Sequence, residues 1–92
     1  MSTKYTYVVP TPTQRFKAHE VERRAELEGN TSLSRVLRMA SYFDGFPHSY
    51  TDEAVRLGRR LIVAVAEEDA VNIDVLASAL SDMIFTGGVY RD

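Results

Sequence analysis

Chemistry needs a nucleophile, a base, a metal cage or a phosphate cradle, and the chain offers few parts for any of them. It has no cysteine and only two histidines, His19 and His48. A hydroxyl nucleophile needs an adjacent base, so the choice of bases is already narrow. His19 stands among Glu20, Glu22 and Arg23, the setting of a solvated helix face. His48 lies in the bent aromatic stretch Phe46-Pro47-His48-Ser49-Tyr50, which suits a structural or contact role. Two histidines this far apart, with no third ligand at metal-site spacing, make a weak zinc case. Glu67-Glu68-Asp69 is a run of carboxylates, but adjacent helical residues do not face one another as an acid–base pair must. Gly87-Gly88 neither opens a helix nor precedes a lysine, so it is not a phosphate loop and serves to stop a helix. The expectation is a chain that is not an enzyme, with no metal, no cofactor and no small-molecule substrate.

The basic residues carry more information. There are nine arginines and two lysines. Arginine presents a rigid fork of donors that matches carboxylates, phosphates and base edges. Residues 1–66 carry a balance of +3 and residues 67–92 a balance of -5, so the chain is electrically polarised along its length. Three clusters stand out: Arg23 and Arg24, then Arg35 and Arg38 three apart, then Arg56, Arg59 and Arg60. Each could be a solvated helix face with its own intrahelical pairs. Taken together they predict a cationic surface on the second and third helices, with Asn30 and Tyr42 beside it as polar contacts. The acidic last third is the competing contact surface.

The elements that must position these residues follow from caps, stripes and breakers. Lys4 to Val9 is dense in tyrosine, threonine and valine and predicts a short strand, ended by Pro10 and Pro12. Thr11-Pro12 reads as an N-cap followed by proline at the first helical position. The first helix then runs to about Glu28, stopped by Gly29-Asn30, with Ala18, Val21 and Ala25 on one face and Phe16 and Leu27 beside it. A second helix follows Thr31 or Ser32, with the stripe Leu33, Val36, Leu37, Ala40 and Phe43, and ends at Asp44-Gly45. A third follows Thr51, with Val55, Gly58, Leu61, Ile62 and Val65 inward. Gly58 costs about 1 kcal/mol against alanine in a helix interior, which a close helix–helix approach would explain. The run Leu61 to Ala66 is rich in β-branched residues and would also fit a strand, but polar residues flank it at helical spacing. The fourth helix starts at Asn72, carries Ile73, Leu76, Ala77, Leu80, Met83 and Ile84, and breaks at Gly87-Gly88. Val89 to Arg91 is left to be extended.

The fold class expected is therefore mostly α with a small β ribbon, an α+β arrangement. About four helices would be joined by antiparallel pairing of the N- and C-terminal segments. A two-stranded ribbon is marginal alone and would have to pack on the helices. The 92 residues form one domain, 1–92, with no linker, repeat or low-complexity tract. Hydrophobic residues at 45% and charged residues at 26% place the chain among folded globular proteins. A secreted domain this short would usually rely on disulfides, so the lack of cysteine predicts a cytoplasmic protein. The start shows no signal-peptide pattern. The longest apolar run, Leu61 to Ala66, is far short of the roughly 20 residues that span a bilayer.

In its length, mild acidity, lack of cysteine and opening Met1-Ser2-Thr3-Lys4-Tyr5-Thr6-Tyr7, the chain resembles small bacteriophage proteins that act by sticking to a host machine. Among these it is similar to the anti-CRISPR proteins, and to those that block the type I-F surveillance complex. The resemblance implies a stoichiometric inhibitor whose partners are Cas proteins and guide RNA in the host cytoplasm, and which blocks recognition of target DNA. The arginine face would then meet the RNA backbone through charge-assisted hydrogen bonds. Two other readings compete with it. A small DNA-binding regulator would be a homodimer that shifts duplex DNA. An enzyme subunit or structural phage component would need companion chains. Against the DNA reader, the second and third helices are separated by a segment containing Gly45 and Pro47, longer than a helix-turn-helix joint.

Overall fold

A computed structural model describes residues 8–91. Four helices follow in order: α1 (Pro12–Leu27), α2 (Thr31–Gly45), α3 (Asp52–Ala66) and α4 (Ala70–Thr86), with a single 3-10 turn at Pro47–Ser49. Each helix begins on a side-chain cap, which satisfies one of the backbone donors that the first turn leaves unpaired. Thr11 and Gln14 close a reciprocal capping box at α1. Thr51 accepts from the Ala54 amide at α3. Two starts fall earlier than the sequence predicted. Asn30 caps α2. Asp69, the last of the three consecutive acids, caps α4 by accepting from the backbone and side chain of Asn72. Its charge then sits at the positive end of a helix dipole, where it stabilises.

The third helix is the centre of the molecule and packs against the other three. Leu61 to Val65 are all buried, because this end of the helix is enclosed on every side and is apolar all round, while its first turns expose Asp52, Glu53 and Arg56. That burial accounts for the β-branched run, which is helical. Phe43 and Leu37 from α2, Leu76 and Leu80 from α4, and Ala18 from α1 complete the core.

Gly58 marks the α2–α3 crossing, as its position in the sequence predicted. A Cβ there would lie 3.2 Å from the Ala40 carbonyl oxygen, 3.3 Å from its Cα and 3.3 Å from the Cβ of Phe43. Two of these three neighbours are backbone atoms of a packed helix and cannot rotate aside. Gly58→Val is therefore expected to cost about 1–3 kcal/mol. A lower urea midpoint at unchanged slope would register that cost, and an unchanged midpoint would contradict the close packing.

The β ribbon is the expectation that the structure corrects. Among the described residues there is no strand, and the chain is helical with one isolated antiparallel bridge, Tyr50 to Tyr90. Lys4 to Tyr7, most of the predicted first strand, lies outside the described residues. The C-terminal segment has a different partner from the one expected. Gly87, at φ 80°, turns the chain back onto the loop that precedes α3. There the Thr51 amide donates to the Val89 carbonyl at 3.0 Å, and the Thr51 hydroxyl donates to the Gly88 carbonyl at 3.0 Å. The Arg91 guanidinium donates to the Tyr50 carbonyl at 2.7 Å. Val89 is fully buried by this arrangement. Val8 rests against the core with Pro10 buried behind it, and Val9 is exposed. No described helix is long and apolar enough to cross a membrane.

Candidate functional site

The nine residues singled out by the sequence are distributed over three helices and play different parts. Arg38 and Arg59 are engaged by the chain's own acids. Arg59, on α3, donates to Asp44 at 2.9 Å. Arg38, on α2, bridges to α1 by reaching Glu22 at 3.3 Å and Glu26 at 3.1 Å. Both acceptor carboxylates raise the Arg38 guanidinium above its ordinary value, Glu22 through its hydrogen bond first. Asn30 is occupied as the cap of α2, and Tyr42 is exposed close to Arg38. Arg60 is half-buried, and its Nε is buried without a hydrogen-bond partner among the described residues. Arg56 and Arg59 share a groove with Arg91 and His48, and Arg91 in turn pairs with Asp52 at 2.7 Å. Arg23 and Arg24 stand exposed on the outer side of α1, where Leu27 is exposed as well. Arg35 is exposed on α2, one turn before Arg38. Among the described residues, these three arginines make no ion pair. The cationic surface predicted on α2 and α3 is thus reduced there, with Arg35 still exposed, and Arg23 and Arg24 stand apart from it on α1.

Sequence reading missed a central feature, the cluster of Arg15, Asp44 and Arg59. Arg15 on α1 sends Nε to Asp44 at 2.7 Å and Nη2 at 3.1 Å, while Arg59 approaches from α3. The Asp44 side chain is 6% exposed. Burial by itself would push its carboxyl up, but the hydrogen bonds from Arg15 and Arg59 outweigh it and hold the group below the ordinary carboxylate range. One sequence signal was available. An acid in the last turn of a helix opposes the dipole and calls for a cation from elsewhere. The three residues join α1, α2 and α3 at one point, which is the work of a structural clamp. Among the described residues no group of three His, Asp or Glu side chains lies close enough to hold a metal ion. His19 and His48 stand apart, His19 beside Glu22 at 3.8 Å and His48 in the 3-10 turn.

The second missed feature is α4. Its inward residues behave as predicted, with Leu76 and Leu80 buried and Ile73, Ala77, Met83 and Ile84 half-covered. Three of its outward residues are large and apolar too, on either side of the exposed Ser78 and Asp82. Val71 is 75% exposed, Val75 60% and Phe85 92%. A helix that is apolar on both sides belongs in an interior, yet this one lies at the edge with one side uncovered. Between α2 and α4 runs an open groove of about 420 Å³ with Leu33, Val36, Ile73 and Ala77 in its floor and Asp74 and Asp82 on its rim. No protein-family model matches the chain, and neither does any curated protein or solved structure.

Proposed function

We propose that this chain is a non-enzymatic binding protein, a stoichiometric inhibitor that seats on a CRISPR–Cas ribonucleoprotein and blocks recognition of target DNA. The observation that carries the binding reading is the uncovered side of α4. Large apolar side chains grouped on a small protein's surface mark contact sites for other macromolecules. The ribonucleoprotein as the partner comes from the resemblance set out above. It is supported by the exposed guanidinium groups of Arg23, Arg24 and Arg35, which make no ion pair among the described residues and are suited to an RNA backbone.

The test uses purified type I-F surveillance complex and a target duplex. One equivalent of the chain is expected to co-elute with the complex and to abolish its gel shift of target DNA. The charge-reversed triple variant Arg23→Glu, Arg24→Glu, Arg35→Glu is expected to need several-fold more protein for the same block, with the difference shrinking at high salt. Undiminished DNA binding in a large molar excess of the chain would overturn the reading. A homodimeric DNA-binding regulator is the second reading, because the exposed guanidinium groups of Arg23, Arg24 and Arg35 would serve equally on a duplex backbone. It requires a dimer in sedimentation and a shift of duplex DNA by the chain alone.

A further inference from the structure

The outward residues of α4 follow a pattern that limits what can cover them. Val71, Val75, Ser78, Asp82 and Phe85 are separated by steps of four, three, four and three, and all five are exposed. This is the seam spacing by which one helix packs along another. It runs for about 21 Å at 1.5 Å per residue, long enough for two full heptads. The seam is apolar at both ends and carries a carboxylate, Asp82, at one inner position. Asp74 flanks it on the groove side. No lysine or arginine occurs between Arg60 and Arg91, so α4 brings no cation of its own to this face.

A second copy fits the seam poorly. An antiparallel pairing centred on Ser78 would set Asp82 against the other copy's Val75, burying a carboxylate without a partner. A parallel pairing in register would set the two Asp82 carboxylates against each other. Both of these registers remove a charge from water with nothing opposite to compensate it, which costs several kcal/mol, and the antiparallel register that sets Asp82 against Ser78 offers the carboxylate a neutral hydroxyl and no cation. A helix with apolar seam residues and one cation at the matching level meets every requirement of the face.

We propose that the outer face of α4 is the docking site for a basic amphipathic helix of a partner protein, with a lysine or arginine of that helix set against Asp82. The proposal rests on the binding reading above and names the chemistry of the partner. The carboxylate at a seam position then acts as a selector, because it penalises self-pairing and apolar partners and favours a cationic one.

The probe is a synthetic three-heptad peptide with leucine along its seam and one arginine at the central inner position, followed by fluorescence anisotropy. The control peptide carries glutamate in place of that arginine. The arginine peptide is expected to bind about tenfold more tightly than the glutamate peptide, and Asp82→Asn is expected to erase that difference. The double variant Val75→Lys, Phe85→Lys is expected to bind neither peptide while keeping its helical circular dichroism, since both side chains stand in solvent. No binding of the arginine peptide would overturn the proposal, and so would a preference that survives Asp82→Asn. A dimer of the chain that Val75→Lys dissociates would overturn it too, by showing a second copy on the face. These outcomes are independent of the target-DNA assay. Peptide binding without inhibition would remove the ribonucleoprotein as partner and leave the docking site. Inhibition without peptide binding would do the reverse.

Discussion

Replacing Arg15 and Arg59 together with alanine is expected to destabilise the fold by about 3–5 kcal/mol at neutral pH. The loss centres on Asp44, whose side chain is 6% exposed and accepts hydrogen bonds from both guanidinium groups. A folded domain of this size has a total stability of only about 5–14 kcal/mol, so the variant would be marginal. Either single replacement leaves one partner in place and is expected to cost less, about 1–3 kcal/mol. Arg15 makes two bonds to Asp44, at 2.7 and 3.1 Å, but its side chain is 42% exposed against 24% for Arg59, so solvent screening offsets its bidentate grip and the two single losses are expected to be similar.

The pH dependence separates charge from packing. In the native protein the Asp44 carboxyl lies below its ordinary range. Its contribution is therefore fully present above the ordinary carboxylate value and is lost as pH falls through the depressed one. In the double variant burial acts without opposition and raises the carboxyl. Stability then falls as pH rises through the carboxylate range. The gap between the two proteins is thus expected to be widest near pH 7 and to narrow below about pH 4. Urea unfolding at both pH values measures it. A gap that is equal at the two would assign the loss to the packing of the arginine stems.

Phe43→Ala is expected to cost about 3–5 kcal/mol, the range for removing a fully buried aromatic ring. Phe43 is 0% exposed and sits where α2 meets α3 at Gly58. Its ring also meets Tyr50 edge-on at 4.6 Å, and Tyr50 meets Tyr90 at 5.9 Å. The ring therefore supports the core and also the attachment of the chain's end beside α3. For a domain this size the loss corresponds to a drop in Tm of about 15 °C or more. Phe43→Leu preserves most of the volume and is expected to lose less. Amide exchange adds a local test. The Thr51 N–H, which donates to Val89, should lose protection in Phe43→Ala beyond the global destabilisation. Unchanged exchange there would show that the aromatic contacts do not hold the C-terminal segment.

Much of the helical content was readable because it depends on residues close in sequence. Thr11, Thr51, Gly29 and Gly87 placed caps and stops, and the stripes on α2 and α3 identified their buried sides. The start of α4 was displaced because Asp69 stood inside a run of acids that looked like the solvated end of the preceding helix. The ribbon failed for a different reason. The residues in 89–91 are ready to extend, but extension says nothing of the neighbour, and the loop at Tyr50 and Thr51 supplied one. The arginines show the same limit most clearly. Spacing showed that Arg35 and Arg38 share part of a face. It could not show that Glu22 waits on another helix for Arg38, or that Asp44 would take Arg59, 15 residues away, and Arg15, 29 residues away. The outward seam of α4 was visible as letters, but its meaning depends on no other helix covering it, which only the packing reveals.

The two ends of α4 are both held to the body of the molecule. At the start, the Asp69 amide donates to the Ala64 carbonyl at 3.0 Å and its carboxylate caps the helix. At the end, Thr51 takes hold of Gly88 and Val89. A helix pinned in this way has little backbone freedom left to surrender when something lands on it. Association would be rigid-body docking with a small entropic cost, and changes to its outer side chains would be felt mainly in how long the complex lasts.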